Sequence, residues 1–211
     1  MSVTQDRVKR VRNPRGQGGH LRDEIIEACT RLLDESASEL TISLRSIAAE
    51  AGVAAPSIAR HFRDLQEIID AVVAKELEKL LRELQSAGTN ISNPREKIAA
   101  LTETYIDFSK RYPSRYRILF SRVASPRWEE DTRPMVETWP LMYSTFNLVR
   151  DTIQECIDAG LSRANDATES ATMLWFGIHG LISLRQSITS FPWPDETDAV
   201  RKILQNTVHL I

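Results

Sequence analysis

From Leu21 onward the apolar residues of the chain recur three and four positions apart, the period of an α-helix with one buried face. Leu21, Ile25, Cys29 and Leu32-Leu33, with Ala28 beside them, predict a first helix that ends near Ser36–Ser38. A short second helix is predicted from Ser43 to Ala51, burying Leu44, Ile47, Ala48 and Ala51. The Ser43 hydroxyl suits its N-cap, because it can accept from the unpaired N–H groups of the first turn. Gly52 then supplies the positive φ that stops the helix. A third helix is predicted from Ala55-Pro56, where proline forfeits no hydrogen bond, to about Phe62. Asp64 caps a long fourth helix with Leu65, Ile68-Ile69, Val72-Val73, Leu77, Leu80-Leu81 and Leu84 on its inner face, broken at Ala87-Gly88-Thr89-Asn90.

The second half repeats the helical period. Asn93 and Pro94 open a helix carrying Ile98, Leu101, Tyr105, Phe108 and Tyr112; Pro113 ends it, and a short element follows at 116–120. Pro126, Pro134 and Pro140 punctuate a loop or broken helix. A long helix holds Met142, Phe146, Val149, Ile153, Cys156 and Ile157 up to Gly160, another spans 166–189, and a last one runs from Asp195 through Leu210. No stretch alternates as a strand does, so the predicted fold class is all-α.

Charge changes this picture. The 211 residues carry a net charge of −2, which alone argues against a nucleic-acid binder. Residues 1–22, however, hold six basic residues (Arg7, Lys9, Arg10, Arg12, Arg15, Arg22) against Asp6 alone. Residues 66–211 hold seventeen basic and twenty acidic residues. A basic end on an acidic body points to an anionic partner at one end only. The first nineteen residues, with Asn13-Pro14 and Gly16, Gly18 and Gly19, read as a flexible basic arm lacking the apolar h-region of a secretory signal. No apolar run reaches the ~18 residues of a membrane span. Cys29 and Cys156 stand far apart without His or Cys at metal spacing, which fits a reducing cytosol and offers no zinc site.

The stretch from Ser43 to Phe62 carries the chemistry. Two short helices flank a tight turn at Gly52-Val53, and Ile47, Ala48, Val53, Ile58 and Phe62 are placed to pack them against the first helix. That is a helix-turn-helix, whose second helix fits the DNA major groove. Its exposed face would carry Ala54, Ala55, Ser57, Arg60 and His61, and no acidic residue lies between Val53 and Arg63. Ser57 and His61 can donate to phosphate; Arg45 and Arg60 can reach phosphate or a guanine edge. Ala54 and Ala55 allow close approach and contact with thymine methyls. Arg12 and Arg15 suit an adjacent minor groove, and Ser43 is a further candidate DNA-binding residue.

Residues of about 20–68 resemble the DNA-binding domain of the TetR family of bacterial transcriptional regulators, through Thr41, Leu44-Arg45, Ile47-Ala48, Ala51-Gly52-Val53, Pro56-Ser57 and His61-Phe62. The resemblance implies a homodimer, a palindromic operator of double-stranded DNA and an all-α regulatory domain. It also implies base or phosphate contact at Arg45 and phosphate contact at Ser57 and His61. Two positions depart from the family pattern: Ala59 stands where Tyr is usual and Leu65 where Lys is usual, both DNA-backbone contacts in the family. Arg60, Arg63 and the arm are candidates to compensate.

Trp175-Phe176-Gly177-Ile178-His179-Gly180, with Tyr116-Arg117-Ile118-Leu119-Phe120 and Phe191-Pro192-Trp193, resemble the WHG type of TetR C-terminal regulatory domain over residues 94–195. The chain is thus expected to comprise the arm (1–19), a helix-turn-helix DNA-binding domain (20–65) and a helical ligand-binding and dimerisation domain (66–211). The resemblance implies an effector pocket, and an aromatic-rich helical domain can enclose one. Tyr105, Phe108, Tyr112, Phe120, Trp139, Tyr143, Phe146, Trp175 and His179 are its candidates. Helix 166–189 is apolar around much of its circumference, as expected of a helix that is either fully buried or shared between two subunits. With the helix before it, it would build a four-helix interface around a twofold axis, placing two reading helices about 34–36 Å apart. No phosphate loop, metal triad or nucleophile elbow is present, so neither an enzyme nor a cofactor is expected. The expected function is a cytoplasmic, effector-released repressor. The alternative is a helical small-molecule- or protein-binding module that has lost DNA binding, to which Ala59 and Leu65 give weight.

Overall fold

The computed structural model describes residues 18–35, 42–120, 137 and 139–211. The arm up to residue 17, with Arg12 and Arg15, lies outside the described residues, as do the end of the first predicted helix at 36–38 and Pro126 and Pro134. Every regular element among the described residues is a helix: α1 (Gly18–Glu35), α2 (Leu44–Glu50), α3 (Ala55–Ile58), α4 (Leu65–Gly88), α5 (Pro94–Arg111), α6 (Pro113–Leu119), α7 (Pro140–Asp158), α8 (Ala167–Ser187) and α9 (Glu196–Val208). An isolated antiparallel bridge joins Ser162 to Leu210.

The helix boundaries follow from local chemistry. Ser43 accepts from the Ser46 N–H at 3.1 Å, and the Ser46 hydroxyl accepts from the Ser43 N–H at 2.9 Å, a reciprocal cap on α2. Gly52 (φ 66°) and Gly160 (φ 68°) take the left-handed conformation that ends α2 and α7. The Asp64 carboxylate accepts from Glu67 N–H at 2.9 Å and starts α4, Asn93 accepts from Arg95 N–H ahead of Pro94, and Asp166 and Asp195 cap α8 and α9. α3 departs from expectation. It holds a single α-turn to Ile58, and residues 59–61 continue only as turns, His61 N–H bonding Ile58 three residues back at 2.8 Å. Phe62 N–H shares that carbonyl at 3.0 Å, and the chain then turns to where Asp64 caps the next helix. α9 likewise stops at Val208, two residues short of the predicted end, because His209 (φ 52°) turns left-handed and Leu210 joins the bridge.

The described residues form two compact units. The first comprises the described residues up to 75 and 114–120, parting from the second inside α4. Its core is Ile25, Cys29, Leu33, Ile47, Ala48, Ile58, Phe62, Ile68, Val72 and Val73, with Tyr116, Ile118 and Leu119 of α6 buried as well. α2 packs on α1 and on α3. Arg115 of α6 grips Asp34 of α1 through Nε at 3.1 Å and Nη2 at 2.8 Å. The second unit comprises the rest of α4 with α5, α7, α8 and α9. There α8 packs on α7, α9 and α5, and α5 on α7, around Ile98, Leu101, Phe108, Ile153, Ala171, Leu174, Ile178 and Leu204.

Candidate nucleic-acid interface

The helix-turn-helix turns one face inward and one outward. Ile47, Ala48, Ile58 and Phe62 are buried, and Val53 N–H closes the turn onto the Ala48 carbonyl at 2.9 Å. Arg45, Ala54, Ala55, Pro56 and Arg60 are exposed; Ser57 and His61 are half-buried. Ser43 is exposed, but its hydroxyl already serves the α2 cap, accepting from Ser46 N–H and lying 3.2 Å from the Ser46 hydroxyl. Among the described residues Arg45 and Arg60 join no ion pair, which leaves both guanidinium groups available to an anion. Arg63 is engaged differently: its Nε lies 3.2 Å from Glu67, whose carboxylate also accepts Arg63 N–H at 2.8 Å. The Arg63 backbone and side-chain hydrogen bonds hold the half-buried Glu67 carboxyl below the usual range. Ala59, where the resembling family carries Tyr, ends α3 and is exposed. Arg31 ties α1 to α2 through Glu50 at 2.6 Å.

One cation escaped the sequence reading as an individual residue. Arg22, exposed on the first turns of α1, lies with its guanidinium carbon 4.8 Å from the centre of the Phe62 ring. Spacing along the sequence gives no sign of this pairing, because forty residues separate the two.

In the second unit the candidate pocket residues fall into separate groups. Trp175 Nε1 donates to the Tyr105 hydroxyl at 3.3 Å, the indole lies 6.4 Å from the His179 ring, and His179 Nε2 is 3.4 Å from the Ser183 hydroxyl. Burial pushes the His179 pKa down, favouring the neutral ring. Phe108 is fully buried and stacks 5.3 Å from Tyr112, whose ring is capped by Lys79 Nζ at 3.6 Å. The hydrogen bond and charge of Lys79 lower the Tyr112 pKa. Trp139, Tyr143 and Phe146 are half-buried along the start of α7. The Asp151 carboxylate, helped by the Tyr143 hydroxyl, raises the Arg150 pKa. Phe120 belongs to the first unit, where it pairs with Tyr116 at 5.2 Å. Three open grooves of about 530, 460 and 420 Å³ are described in the second unit, and none is lined by these nine residues.

α8 carries apolar residues on its outer side too. Met173, Phe176 and Leu184, with Ile188 at the C-cap, are exposed, Phe176 by 60%, on either side of Gly180, where a methyl group would meet open space beyond its own helix. On the opposite side Leu174, Ile178 and Ile182 are buried.

The family profile for the tetracyclin repressor-like C-terminal domain matches residues 98–207, more than half of the chain. The chain belongs to the TetR family. Solved structures agree with TetR-type architecture over nearly the whole length. A Rhodococcus sp. RHA1 protein of unknown function is 22% identical, with 90% of this chain and 94% of that one covered and a TM-score of 0.73. A TetR family transcription regulator from Marinobacter aquaeolei VT8 is 15% identical, covers 92% and 96%, and scores 0.65. The transcriptional regulator FadR from Bacillus subtilis, solved in complex with stearoyl-CoA, is 14% identical, covers 90% and 98%, and scores 0.67. At these identities the likeness speaks to fold. With it, the all-α class and the TetR resemblance read from the sequence both hold. No helix among the described residues is long and apolar enough to cross a membrane.

Proposed function

We propose that this TetR-family regulator is a cytoplasmic repressor that binds a palindromic operator as a homodimer and is released by a small molecule. One observation carries the DNA half of the reading. The outward face of the helix-turn-helix presents Arg45, Ala54, Ala55 and Arg60, without an acidic residue between Val53 and Arg63, over a core of Ile47, Ile58 and Phe62. Such a face meets phosphate oxygens without like-charge repulsion and lets small side chains reach base edges. Ser57 and His61, half-buried beside it, are assigned to phosphate, and Ser43 to holding α2 in place. Arg12 and Arg15 of the arm are assigned to an adjacent minor groove.

The dimer half rests on the outer stripe of α8. Four exposed apolar residues flanking a glycine suit a twofold mate, because an isologous seam pairs a surface with itself. Effector release then works through population shift: a molecule bound in the second unit moves the equilibrium only by its differential affinity for the two states. The Tyr105–Trp175–His179 group, three rings that carry polar atoms, is the assigned floor of that site. The Bacillus subtilis neighbour was solved with stearoyl-CoA, so a long-chain acyl-CoA is the first effector to try.

The test is a gel shift with DNA from upstream of the protein's own coding region. Retarded DNA that is released by about 0.5 M salt supports the reading, since phosphate contacts weaken steeply with salt. Removing residues 1–19 should lower affinity and flatten the salt slope. A full-length protein that retards no duplex at low salt refutes the regulator and favours the helical binding module instead.

A further inference from the structure

Arg22 is not one of the residues assigned to DNA above, and its surroundings set it apart from the other charges of α1. Arg31 is held by Glu50 at 2.6 Å, Glu27 faces Lys75 at 3.4 Å, and Asp34 is taken by Arg115 at 2.8 Å. Arg22 joins no ion pair among the described residues, although Asp23 and Glu24 follow it directly and Glu24 has an interaction of its own. Its partner is the Phe62 ring, 4.8 Å away. Phe62 is itself fixed: it is 3% exposed, and its N–H bonds the Ile58 carbonyl at 3.0 Å. The residues just before it are Arg60 and His61, in the turn that follows α3.

A guanidinium resting on an aromatic face is attracted by the ring quadrupole and keeps its N–H fork in the plane, directed away from the ring. That fork matches two phosphate oxygens. An arginine already held on a platform also gives up less rotamer freedom on binding than one swinging free in solvent. We infer that Arg22 is a phosphate-binding residue of the reading head and that Phe62 is its positioning residue. This rests on the DNA-binding reading proposed above. Because phosphate contacts carry no base information, the contribution of Arg22 is the same on every duplex sequence.

The probe is a fluorescein-labelled 24-base-pair duplex of random sequence, titrated with the full-length protein by anisotropy from 50 to 200 mM salt. Loss of one phosphate contact reduces the slope of log K against log salt by about 0.9. Over that fourfold salt range the contact amounts to about 3.5-fold in Kd per reading head. Arg22→Ala should show this loss, about 1.8 in slope where two heads bind together. Arg22→Lys should keep most of the slope, since the charge remains, while binding more weakly at every salt. In a Phe62→Leu background, Arg22→Ala should matter less than in the wild type. Slope and Kd unchanged in Arg22→Ala, with the wild type binding normally, overturn the inference and leave the regulator reading standing. A wild type with no salt-dependent binding overturns both. If Phe62→Leu reduces helicity, the two Arg22 variants decide alone, because that residue is exposed and removes no core.

Discussion

Replacing Gly177 with alanine sets two effects of known sign against each other. A methyl built on Gly177 would meet Ile203 of α9, with Cγ2 at 2.8 Å, Cγ1 at 3.6 Å and Cδ1 at 3.7 Å. Carbon atoms prefer about 3.5–4.0 Å, so the overlap is confined to Cγ2 and amounts to about 0.7 Å or more. Cγ2 sits on the branched β-carbon, and in a helix such a side chain has essentially one χ1 rotamer, so it cannot swing aside. Relief must come from the backbones of α8 and α9, and overpacking of this kind costs about 1–3 kcal/mol. Against it, glycine in a helix interior is about 0.5–1 kcal/mol worse than alanine. The net expectation is a destabilisation of roughly 0–2.5 kcal/mol. Ile203→Leu moves the branch off the β-carbon, so the double variant should recover most of the overpacking cost. The assay is urea unfolding followed by helical circular dichroism, at one fixed protein concentration because any self-association would shift the midpoint. Should Gly177→Ala stabilise the protein by the full helix-propensity gain, with Ile203→Leu merely additive, the close approach of α8 and α9 is wrong.

Phe176→Glu places a charge on both sides of the proposed twofold seam, and sedimentation should show a monomer with unchanged helix content; an intact dimer would move the interface elsewhere. Burial raises the Cys29 thiol from 9.0 to about 12. The neutral thiol favours the fold fully below pH 9, and that advantage disappears as pH climbs from 9 towards 12, because the unfolded chain ionises first. Urea midpoints taken across that window should therefore fall less steeply in Cys29→Ala than in the wild type; parallel slopes would contradict the burial. Asp34→Asn removes the grip of Arg115, whose side chain is 22% exposed, and should cost about 0.5–1 kcal/mol while speeding hydrogen exchange in α6. Unaltered α6 exchange would show that the pair does not hold that helix.

Where a feature is set by neighbouring residues, the sequence was readable. Ser43, Asp64, Asn93 and Asp195 cap the helices that follow them, and Gly52 and Gly160 take positive φ, because each of these depends only on nearby backbone. The turn in the reading head and its buried Ile47, Ile58 and Phe62 followed from spacing in the same way. The shortened α3 was not readable, since its end depends on competition with the α4 cap downstream. Pairings over long separations were also hidden. Arg22 meets Phe62 and Arg115 meets Asp34 because tertiary packing brings their helices together, and periodicity says only that a face is apolar, never what lies against it. For that reason the even hydrophobicity of α8 left full burial and a shared seam equally open, while within one chain Phe176 and Leu184 stand open and Ile178 and Ile182 are covered. Aromatic content alone likewise grouped Phe108, which is wholly enclosed, with Trp175, which is half-open.

The membership of α6 in the first unit has a practical side. Residues 114–120 return to a body otherwise made from residues 18–75, after the chain has already begun the second one. Tyr116, Ile118 and Leu119 are closed off from solvent, so an expression fragment cut after α4 would lack a piece of its own interior. The two units are therefore not two consecutive stretches of chain, and a graft of the reading head onto another scaffold would need to carry α6 or something in its place.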